Sequence, residues 1–187
     1  MAAKPTKAPK VVLGVTGSIA AYKACEIVRL CVRRGWDVSV VMTPAAAEFV
    51  TALSFRTLSR NPVGLGLFDE PSEWMPGHIG LAEAADVFVV APCTANTLAK
   101  MANGLADNLL TCTALATRAP VVVAPAMNTG MWDAPATQQN VAALRARGVV
   151  FVEAEPGELA CGAHGRGRLA EPAAIVDAVA EVLANKR

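Results

Sequence analysis

The chain alternates short apolar runs with longer stretches of mixed polarity, which is the pattern of β-strands that alternate with α-helices. The apolar runs predict strands at residues 11–16, 37–42, 86–91, 121–124 and 149–153, with a short edge strand at residues 63–68. The stretches between them predict helices over residues 19–34, 54–60, 135–147 and 173–183, and helices that begin near residues 78, 98 and 106. Strands this apolar are typical of parallel sheets, because helices cover both faces of such sheets. We therefore expect an α/β fold with a doubly wound parallel sheet of five to six strands.

The first predicted strand ends in a turn of small residues, Gly17-Ser18, and Ser18 is suited to cap the helix that follows. Free backbone N–H groups at such a turn can hold a phosphate group. A tight turn that binds nothing explains the residues equally well, and the glycine spacing does not match the GxGxxG dinucleotide fingerprint. The second strand ends in Thr43-Pro44, which brings another hydroxyl group to the same predicted edge of the sheet.

Polar and small residues also follow two later strands. Strand 86–91 is followed by PCTANT at residues 92–97, and strand 121–124 by PAMNTGMW at residues 125–132. Ligands of open α/β sheets bind outside the carboxyl ends of the strands, which places both segments at a candidate site. Asn128 offers a neutral donor and acceptor, and Trp132 offers a flat apolar wall. The alternative interpretation is ordinary helix capping, with the Met and Trp side chains buried in the core.

Two loops carry further candidate chemistry. Residues 61–77 are rich in Pro, Gly and acidic side chains, and a loop this long is usually functional or mobile. His78 follows it, and imidazole is suited to proton transfer near neutral pH, although a lone His is more often structural. Residues 159–172 place one Cys and two Arg among small residues, as in a flexible flap that closes over an anionic ligand. The alternative there is a glycine-rich connection with an incidental thiol.

The composition narrows the class of partner. Of the 187 residues, 53% are hydrophobic and 18% are charged, against about 25% charged residues in average proteins. Because a surface this poor in charge favours burial against copies of the same chain, we expect a homo-oligomer. The formal net charge is +1 and no basic stripe is present, so nucleic acid gains no electrostatic support. No apolar run approaches the roughly 18 residues that a membrane span needs.

The N-terminus and the cysteines bear on cellular location. Residues 1–10 are basic and contain no apolar segment, so we expect a disordered lead there and a single domain over residues 11–187. The five cysteines are an odd number without CxxC spacing, which favours neither a disulfide framework nor a zinc site. A reducing cytoplasm is the simplest location, and no metal is implied.

Five segments, in order, resemble the homo-oligomeric flavin-containing cysteine decarboxylases. They are GVTGSIAAYK at residues 14–23, HIGL at 78–81, PCTANT at 92–97, PAMNTGMW at 125–132 and ACGAHGRGR at 160–168. The resemblance covers residues 11–183 and implies a three-layer, Rossmann-like flavoprotein fold. It also implies FMN bound between the subunits of a homotrimer, which in the family can pack further into a homododecamer.

The matched positions imply roles for individual residues. His78 and Cys161 correspond to the catalytic residues, and the substrate would be held by Asn128, Met131, Ala160, Gly162 and Arg168. The FMN would be held by Gly17, Ser18, Thr43, Thr94, Ala95, Asn96, Thr97 and Ala126. The implied reaction oxidises the carbon that bears sulfur, and the resulting thioaldehyde accepts the electron pair when CO2 leaves. In that scheme His78 manages the thiol proton, Asn128 orients the carboxylate and Cys161 protonates the enethiolate.

The branches of the family leave alternatives open. Cys161 favours the branch of coenzyme A biosynthesis, which converts 4′-phosphopantothenoylcysteine to 4′-phosphopantetheine. Bacterial members of that branch are frequently fused to a phosphopantothenate-cysteine ligase, so a fused or separate ligase is an expected partner. An oxidative decarboxylase of lantibiotic-type peptides would not need the reducing cysteine. The PAMNTGMW segment and Cys161 count against a flavin prenyltransferase of the same fold. The presence of both His78 and Asn128 counts against a non-catalytic flavin-binding regulatory subunit.

Overall fold

The computed structural model of the protein describes residues 8–69, 77–158, 162 and 164–185. Its strands are β1 (Lys10–Val15), β2 (Asp37–Met42), β3 (Val63–Gly64), β4 (Val87–Cys93), β5 (Val121–Pro125), β6 (Val150–Phe151), β7 (Glu155–Glu158) and β8 (His164–Arg168). Its helices are α1 (Ala24–Arg33), α2 (Pro44–Ala47), α3 (Ala52–Ser59), α4 (Gly77–Ala84), α5 (Ala95–Asn103), α6 (Leu109–Ala116), α7 (Thr129–Asp133), α8 (Pro135–Ala146) and α9 (Pro172–Asn185). A 3₁₀-helix, Ile19–Lys23, leads directly into α1.

Strands β1 to β6 form one sheet in the order β3-β2-β1-β4-β5-β6, and every neighbouring pair is parallel. The chain proceeds from β1 to β2 and β3 on one side, and then continues with β4, β5 and β6 on the other. The strand order therefore reverses between β1 and β4, where Gly14 pairs with Val90. Ligands of this fold class bind in the crevice that forms at such a switch point. The predicted doubly wound parallel sheet is confirmed.

Helices cover both faces of the sheet and create two apolar cores. On one face, Val11, Leu13 and Val15 pack with α1, α3 and α9. On the other face, Val12 and its neighbours pack with α5, α6 and α8. Because alternate residues of one strand point to opposite faces, a central strand of this sheet must be apolar at every position. No helix of the described residues is both long and apolar enough to cross a membrane.

Polar residues at the carboxyl ends of the strands cap the helices that follow. Thr43 Oγ1 accepts a hydrogen bond from the Ala46 N–H at 3.2 Å, and Thr94 Oγ1 accepts one from the Thr97 N–H at 3.4 Å. Such bonds satisfy N–H groups that the first turn of a helix leaves without an internal partner. Because Thr94 is the cap, α5 begins at Ala95 and not near residue 98 as predicted. The helix predicted over residues 19–34 likewise begins as the 3₁₀-helix.

The strand predictions fail mainly at the edges of the sheet. The strands expected at residues 63–68 and 149–153 shorten to two residues each, because β3 and β6 lie at the two edges and pair on one side only. The glycine-rich segment near the C-terminus was expected to be a flap. Its described part contains β8, which pairs with β7 as an antiparallel hairpin.

Candidate functional site

A cavity of about 640 Å³ opens at the carboxyl ends of β1, β4 and β5. Its walls come from the connections that follow these three strands and from the end of the β7–β8 hairpin. The described residues that line it are Gly17, Ser18, Ile19, Ala20, Tyr22, Lys23, Thr94, Ala126, Met127, Asn128, Met131, Gly167, Arg168 and Leu169. Small-molecule sites typically occupy roughly 300–1,000 Å³. Both the size and the position of the cavity are therefore those of a ligand site.

Gly17 brings the first two connections of the sheet together. A Cβ atom at Gly17 would lie 2.5 Å from Ala45 Cβ, so only glycine lets the turn after β1 touch the first turn of α2. Ser18 caps the 3₁₀-helix, with its Oγ accepting a hydrogen bond from the Ala20 N–H at 3.3 Å. Thr43 caps α2 beside Ala45. The capped starts of the 3₁₀-helix and of α2 therefore lie side by side, next to the Gly17-Ser18 turn that lines the cavity.

Thr16 ties the turn after β1 to the turn after β4. Its buried hydroxyl group donates to Pro92 O at 2.7 Å and accepts from the Thr94 N–H at 3.0 Å. The Thr16 N–H also donates to Pro92 O, at 3.3 Å. A buried hydroxyl that is satisfied in both directions allows little change in the spacing of its partners. Thr16 therefore sets the distance between Ser18 and Thr94 in the cavity wall.

Asn128 begins the short helix α7 on the wall formed after β5. Its Oδ1 accepts a hydrogen bond from the Gly130 N–H at 2.8 Å. This hydrogen bond fixes the orientation of the Asn128 amide in the wall of the cavity. Met131 is half exposed and lines the cavity, whereas Trp132 is buried in the core. Of the two interpretations left open for Trp132, burial in the core is the one that the structure shows, because α7 directs its indole into the core.

The β7–β8 hairpin sits on the loop that carries Asn128. The Met127 N–H donates to Gly167 O at 2.9 Å. Gly167 has a φ of +129°, and a Cβ atom there would lie 2.2 Å from Met127 O. A Cβ atom at Gly165 would likewise lie 2.2 Å from Thr129 Oγ1. Gly167 therefore lets the hairpin backbone touch the Met127 backbone, and Gly165 lets it touch the Thr129 side chain. Residues 164–168 pack closely against the Asn128 loop, and the opening and closing of a flap stays a prediction.

Four charged residues meet where the β7–β8 hairpin, α9 and the 3₁₀-helix converge. Glu171 Oε1 accepts a hydrogen bond from Arg168 Nη2 at 2.5 Å and another from Lys23 Nζ at 3.2 Å. The hydrogen bond from Lys23 is the main cause that lowers the pKa of the Glu171 carboxyl, so this group is ionised at neutral pH. The Glu171 N–H also donates to Glu155 Oε1 at 3.2 Å, so two cations and two carboxyl groups meet at the edge of the cavity.

The structure brings part of the predicted site together. Seven predicted residues line the cavity: Gly17, Ser18, Thr94, Ala126, Asn128, Met131 and Arg168. Four others lie at or next to the starts of α2 and α5, outside the lining, and their contact with a cofactor stays a prediction: Thr43, Ala95, Asn96 and Thr97. Ala160 and Cys161 fall outside the described residues, and Gly162 is exposed with a φ of +78°.

His78 does not line the cavity of its own chain. It is the second residue of α4, which packs against α6 on the face of the sheet opposite α1 and α9. His78 Nδ1 is buried and has no hydrogen-bond partner among the described residues. Because an unsatisfied buried polar atom is costly, its partner is expected from the rest of the chain, a second copy or a ligand. The catalytic role of His78 stays a prediction.

Burial makes two cysteines near the sheet unreactive. Cys31 and Cys93 are free thiols, and both are buried. Burial raises the pKa of Cys31 to about 12 and raises the pKa of Cys93 further above its usual range. Because the thiolate is the reactive form of cysteine, both residues serve packing. Cys93, at the end of β4, therefore acts as a small apolar residue beside Thr94.

Half of the cavity lining was not predicted from the sequence. The unpredicted residues are Ile19, Ala20, Tyr22, Lys23, Met127, Gly167 and Leu169. Lys23 could have been predicted from the sequence. It is a cation five residues after Ser18 of the candidate phosphate turn, and it ends the matched segment 14–23. Leu169 and the positioning residue Thr16 could not, because an apolar residue and a strand-end threonine are common throughout α/β chains.

The profile of the Flavoprotein family matches residues 2–184. The chain belongs to the Flavoprotein family. It is similar to the coenzyme A biosynthesis bifunctional protein CoaBC of Bacillus subtilis (strain 168), with 48% identity over 166 residues. That match covers 89% of this chain and 41% of the relative. The chain therefore spans less than half the length of this curated member of the family.

Two solved structures share the fold of this Flavoprotein chain. A PPC decarboxylase mutant complexed with pantothenoylaminoethenethiol is 35% identical, with a TM-score of 0.82, and the match covers 94% of this chain and 98% of the other. SpaF, described as an FMN-dependent cysteine decarboxylase, is 30% identical, with a TM-score of 0.79 and coverage of 95% and 96%. The three-layer, Rossmann-like flavoprotein fold expected from the sequence is confirmed.

Proposed function

We propose that the chain is an FMN-dependent decarboxylase that converts 4′-phosphopantothenoylcysteine to 4′-phosphopantetheine in coenzyme A biosynthesis. The main observation in support of this proposal is the contact between the β7–β8 hairpin and the Asn128 loop. This contact places Arg168 in the same cavity as Ser18. One cavity thus combines a phosphate-type turn, an amide that can orient a carboxylate, and two cationic side chains at its edge. The CoaBC relative and the PPC decarboxylase structure support the choice of reaction.

The residues that line the cavity have the chemical properties that FMN binding requires. Gly17 and Ser18 would hold its phosphate, because the N–H groups of a helix start attract anions. Ala126 and Leu169 are buried apolar residues against which a flat ring can pack, and Thr94 adds a polar group beside them. Bound FMN supplies the hydride acceptor and donor that amino-acid side chains lack.

The residues of the chain would orient the substrate and move protons. Asn128 would donate from Nδ2 to the substrate carboxylate, which positions this group without an ion pair that would stabilise the ground state. His78 would take the proton of the substrate thiol, and Cys161 would protonate the enethiolate that remains after CO2 has left. Met131 would cover the bound substrate on the side of α7.

A homo-oligomer, either a trimer or a dodecamer, is part of the proposal. Ile19, Tyr22 and Met131 are 55%, 60% and 50% exposed at the edge of the cavity. An exposed apolar edge favours cover by another protein surface. Because His78 does not line the cavity of its own chain, we propose that a neighbouring copy supplies it.

The relatives also suggest which enzyme works together with this domain. We propose that residues 11–187 form one decarboxylase domain that works with a phosphopantothenate-cysteine ligase in the cytoplasm. The bifunctional CoaBC relative supports the ligase as a fused or separate partner. The disordered lead expected at residues 1–10 lies mostly outside the described residues.

A second candidate function is oxidative decarboxylation of a peptide that ends in cysteine, which the similarity to SpaF supports. The two functions differ in the mass of their products. We expect the purified, FMN-loaded protein to convert 4′-phosphopantothenoylcysteine to a product that has lost CO2 alone, as measured by mass spectrometry. Loss of CO2 together with two hydrogens, from a peptide only, would move the chain to the peptide branch. No change in either substrate would refute both enzymatic functions and favour a flavin-binding regulatory role.

A further inference from the structure

Lys23 and Arg168 are brought to the same edge of the cavity although they are far apart in the sequence. Both side chains line the cavity, and both are bound to the carboxylate of Glu171. The side chains of Lys23 and Arg168 are 18% and 41% exposed, so the two cations are reachable from the cavity without being fully hydrated. The edge of the cavity therefore presents two converging cations whose positions are fixed by one shared anion.

These cations are separate from the turn assigned above to the FMN phosphate. Ser18 caps the 3₁₀-helix and Lys23 ends it, five residues later. A 3₁₀-helix rises by about 2.0 Å per residue, which separates the two backbone positions by about 10 Å. Lys23 Nζ is bonded to Glu171 at the start of α9 and is thereby held at the hairpin side of the cavity. The cavity thus offers two places for anionic groups.

We propose that Lys23 and Arg168 form a subsite for a phosphate monoester, which receives the 4′-phosphate of the substrate. The proposal rests on the proposed function, whose substrate carries a carboxylate at one end and a phosphate monoester at the other. Asn128 would meet the carboxylate, and the cation pair would meet the phosphate. The subsite would therefore make the enzyme selective for the phosphorylated form of its substrate.

The chemistry of Glu171 suits such a subsite. One oxygen atom of its carboxylate accepts from both cations, so each cation keeps further donors for a ligand. A phosphate monoester carries a charge of about −1.5 to −2 near neutral pH and three acceptor oxygens. It can therefore accept from Lys23 and Arg168 together, with charge-assisted hydrogen bonds stronger than neutral ones. Glu171 holds the cations in place beforehand, which limits the conformational freedom lost on binding.

The test compares 4′-phosphopantothenoylcysteine with pantothenoylcysteine, which lacks the phosphate, on the FMN-loaded protein. Lys23→Gln removes one of the two cations of the subsite and leaves Arg168 bound to Glu171. We expect the ratio of kcat/KM for the phosphorylated to the unphosphorylated substrate to fall by about tenfold, through KM, since one charge-assisted contact is lost. Lys23→Arg keeps the charge and is expected to restore most of the ratio.

Asp177→Asn is the matched structural control. Asp177 pairs with Arg34 and thus also links α1 to α9, but neither residue lines the cavity. We expect this variant to keep the wild-type ratio. If the cluster of Lys23, Arg168 and Glu171 were only a structural link, Lys23→Gln would lower kcat/KM for both substrates equally. That result would overturn the proposal, as would an unchanged ratio.

A third comparison identifies the source of the phosphate. Affinities of the apoprotein for FMN and for riboflavin, measured by flavin fluorescence, should change little and in parallel in Lys23→Gln. A selective loss of FMN affinity would assign the cations to the cofactor phosphate and overturn the subsite for the substrate. If neither substrate is turned over by the wild-type protein, the proposed decarboxylation itself fails. The two failures are therefore distinguishable.

Discussion

At the scale of single residues, one buried hydroxyl group decides how the cavity is spaced. The side chain of Thr16 bonds the connection after β1 to the connection after β4. Thr16→Val keeps the shape of the side chain but removes the hydroxyl group, so Pro92 O loses a donor and the Thr94 N–H loses its acceptor. We expect the free energy of unfolding to fall by about 1–3 kcal/mol, together with weaker retention of flavin. Urea denaturation and the flavin content after dialysis measure the two effects.

Thr57→Val is the matched control for this prediction. Thr57 donates to Leu53 O at 2.8 Å on the exposed side of α3 and does not line the cavity. Water can replace an exposed hydrogen bond, so the free energy of unfolding should change by no more than about 0.5 kcal/mol. Equal losses of stability in the two variants would show that the link through Thr16 has no special weight.

The buried thiols give a second prediction at this scale. Because burial raises the pKa of Cys31 to about 12 and that of Cys93 further, their thiolate fraction at pH 8 is negligible. We expect iodoacetamide to leave both residues unmodified in the native protein and to label them once denaturant is added. Peptide mass spectrometry measures the labelling, with the less buried Cys112 as the internal comparison. Labelling of Cys93 as fast as Cys112 in the native protein would contradict its placement in the core.

At the scale of elements, the contact between the β7–β8 hairpin and the Asn128 loop holds Arg168 and Asn128 in one cavity, on the side that we propose for the substrate. Gly167→Ala would place a Cβ atom 2.2 Å from Met127 O, in a backbone conformation with a φ of +129°. The conformation alone costs about 1–3 kcal/mol, and the overlap adds to it by pushing the hairpin away. We expect decarboxylation to fall at least tenfold while the sheet stays folded, as measured by kcat/KM and circular dichroism.

Gly148→Ala separates the two effects of that substitution. Gly148 also has a positive φ, of +84°, but a Cβ atom there would meet nothing within 4 Å. It lies before β6, away from the residues that line the cavity. We expect a comparable loss of stability from the backbone conformation without loss of activity. If both alanine variants lose activity alike, the hairpin contact is not what positions the site.

The sequence predicts the central strands well because burial on both faces leaves an uninterrupted apolar run, as in β4. It fails at β3 and β6, where pairing on one side no longer demands such a run. It does not reveal the close contacts at Gly165 and Gly167, since glycines serve a mobile loop or a close contact equally well. Only the partners, the Thr129 side chain and the Met127 backbone, show the contact. The ion cluster of Lys23 and Glu171 joins positions 148 residues apart, which no local pattern can predict.

At the scale of the whole molecule, the separation of His78 from the cavity of its own chain supports the proposal that a neighbouring copy supplies this residue. We expect His78→Asn and Asn128→Asp each to abolish decarboxylation when assembled alone. Dissociating and reassembling the two variants together should restore part of the wild-type rate, because some cavities then combine an intact Asn128 with an intact His78 from a neighbour. Sedimentation of each assembly controls for changes in oligomeric state, and absence of any restored activity would place His78 in the same subunit as its cavity.

The central claim is that this chain decarboxylates 4′-phosphopantothenoylcysteine without net oxidation of the substrate. The most direct measurement is the amount of CO2 released per bound flavin under strictly anaerobic conditions, with 4′-phosphopantothenoylcysteine in excess. We predict release far beyond the amount of flavin for the wild-type protein, since no external oxidant is consumed. Cys161→Ser should stop once its bound flavin has been used, because the proton donor for the final step is missing. If the wild-type protein stops at the same point, or releases no CO2, the account is contradicted.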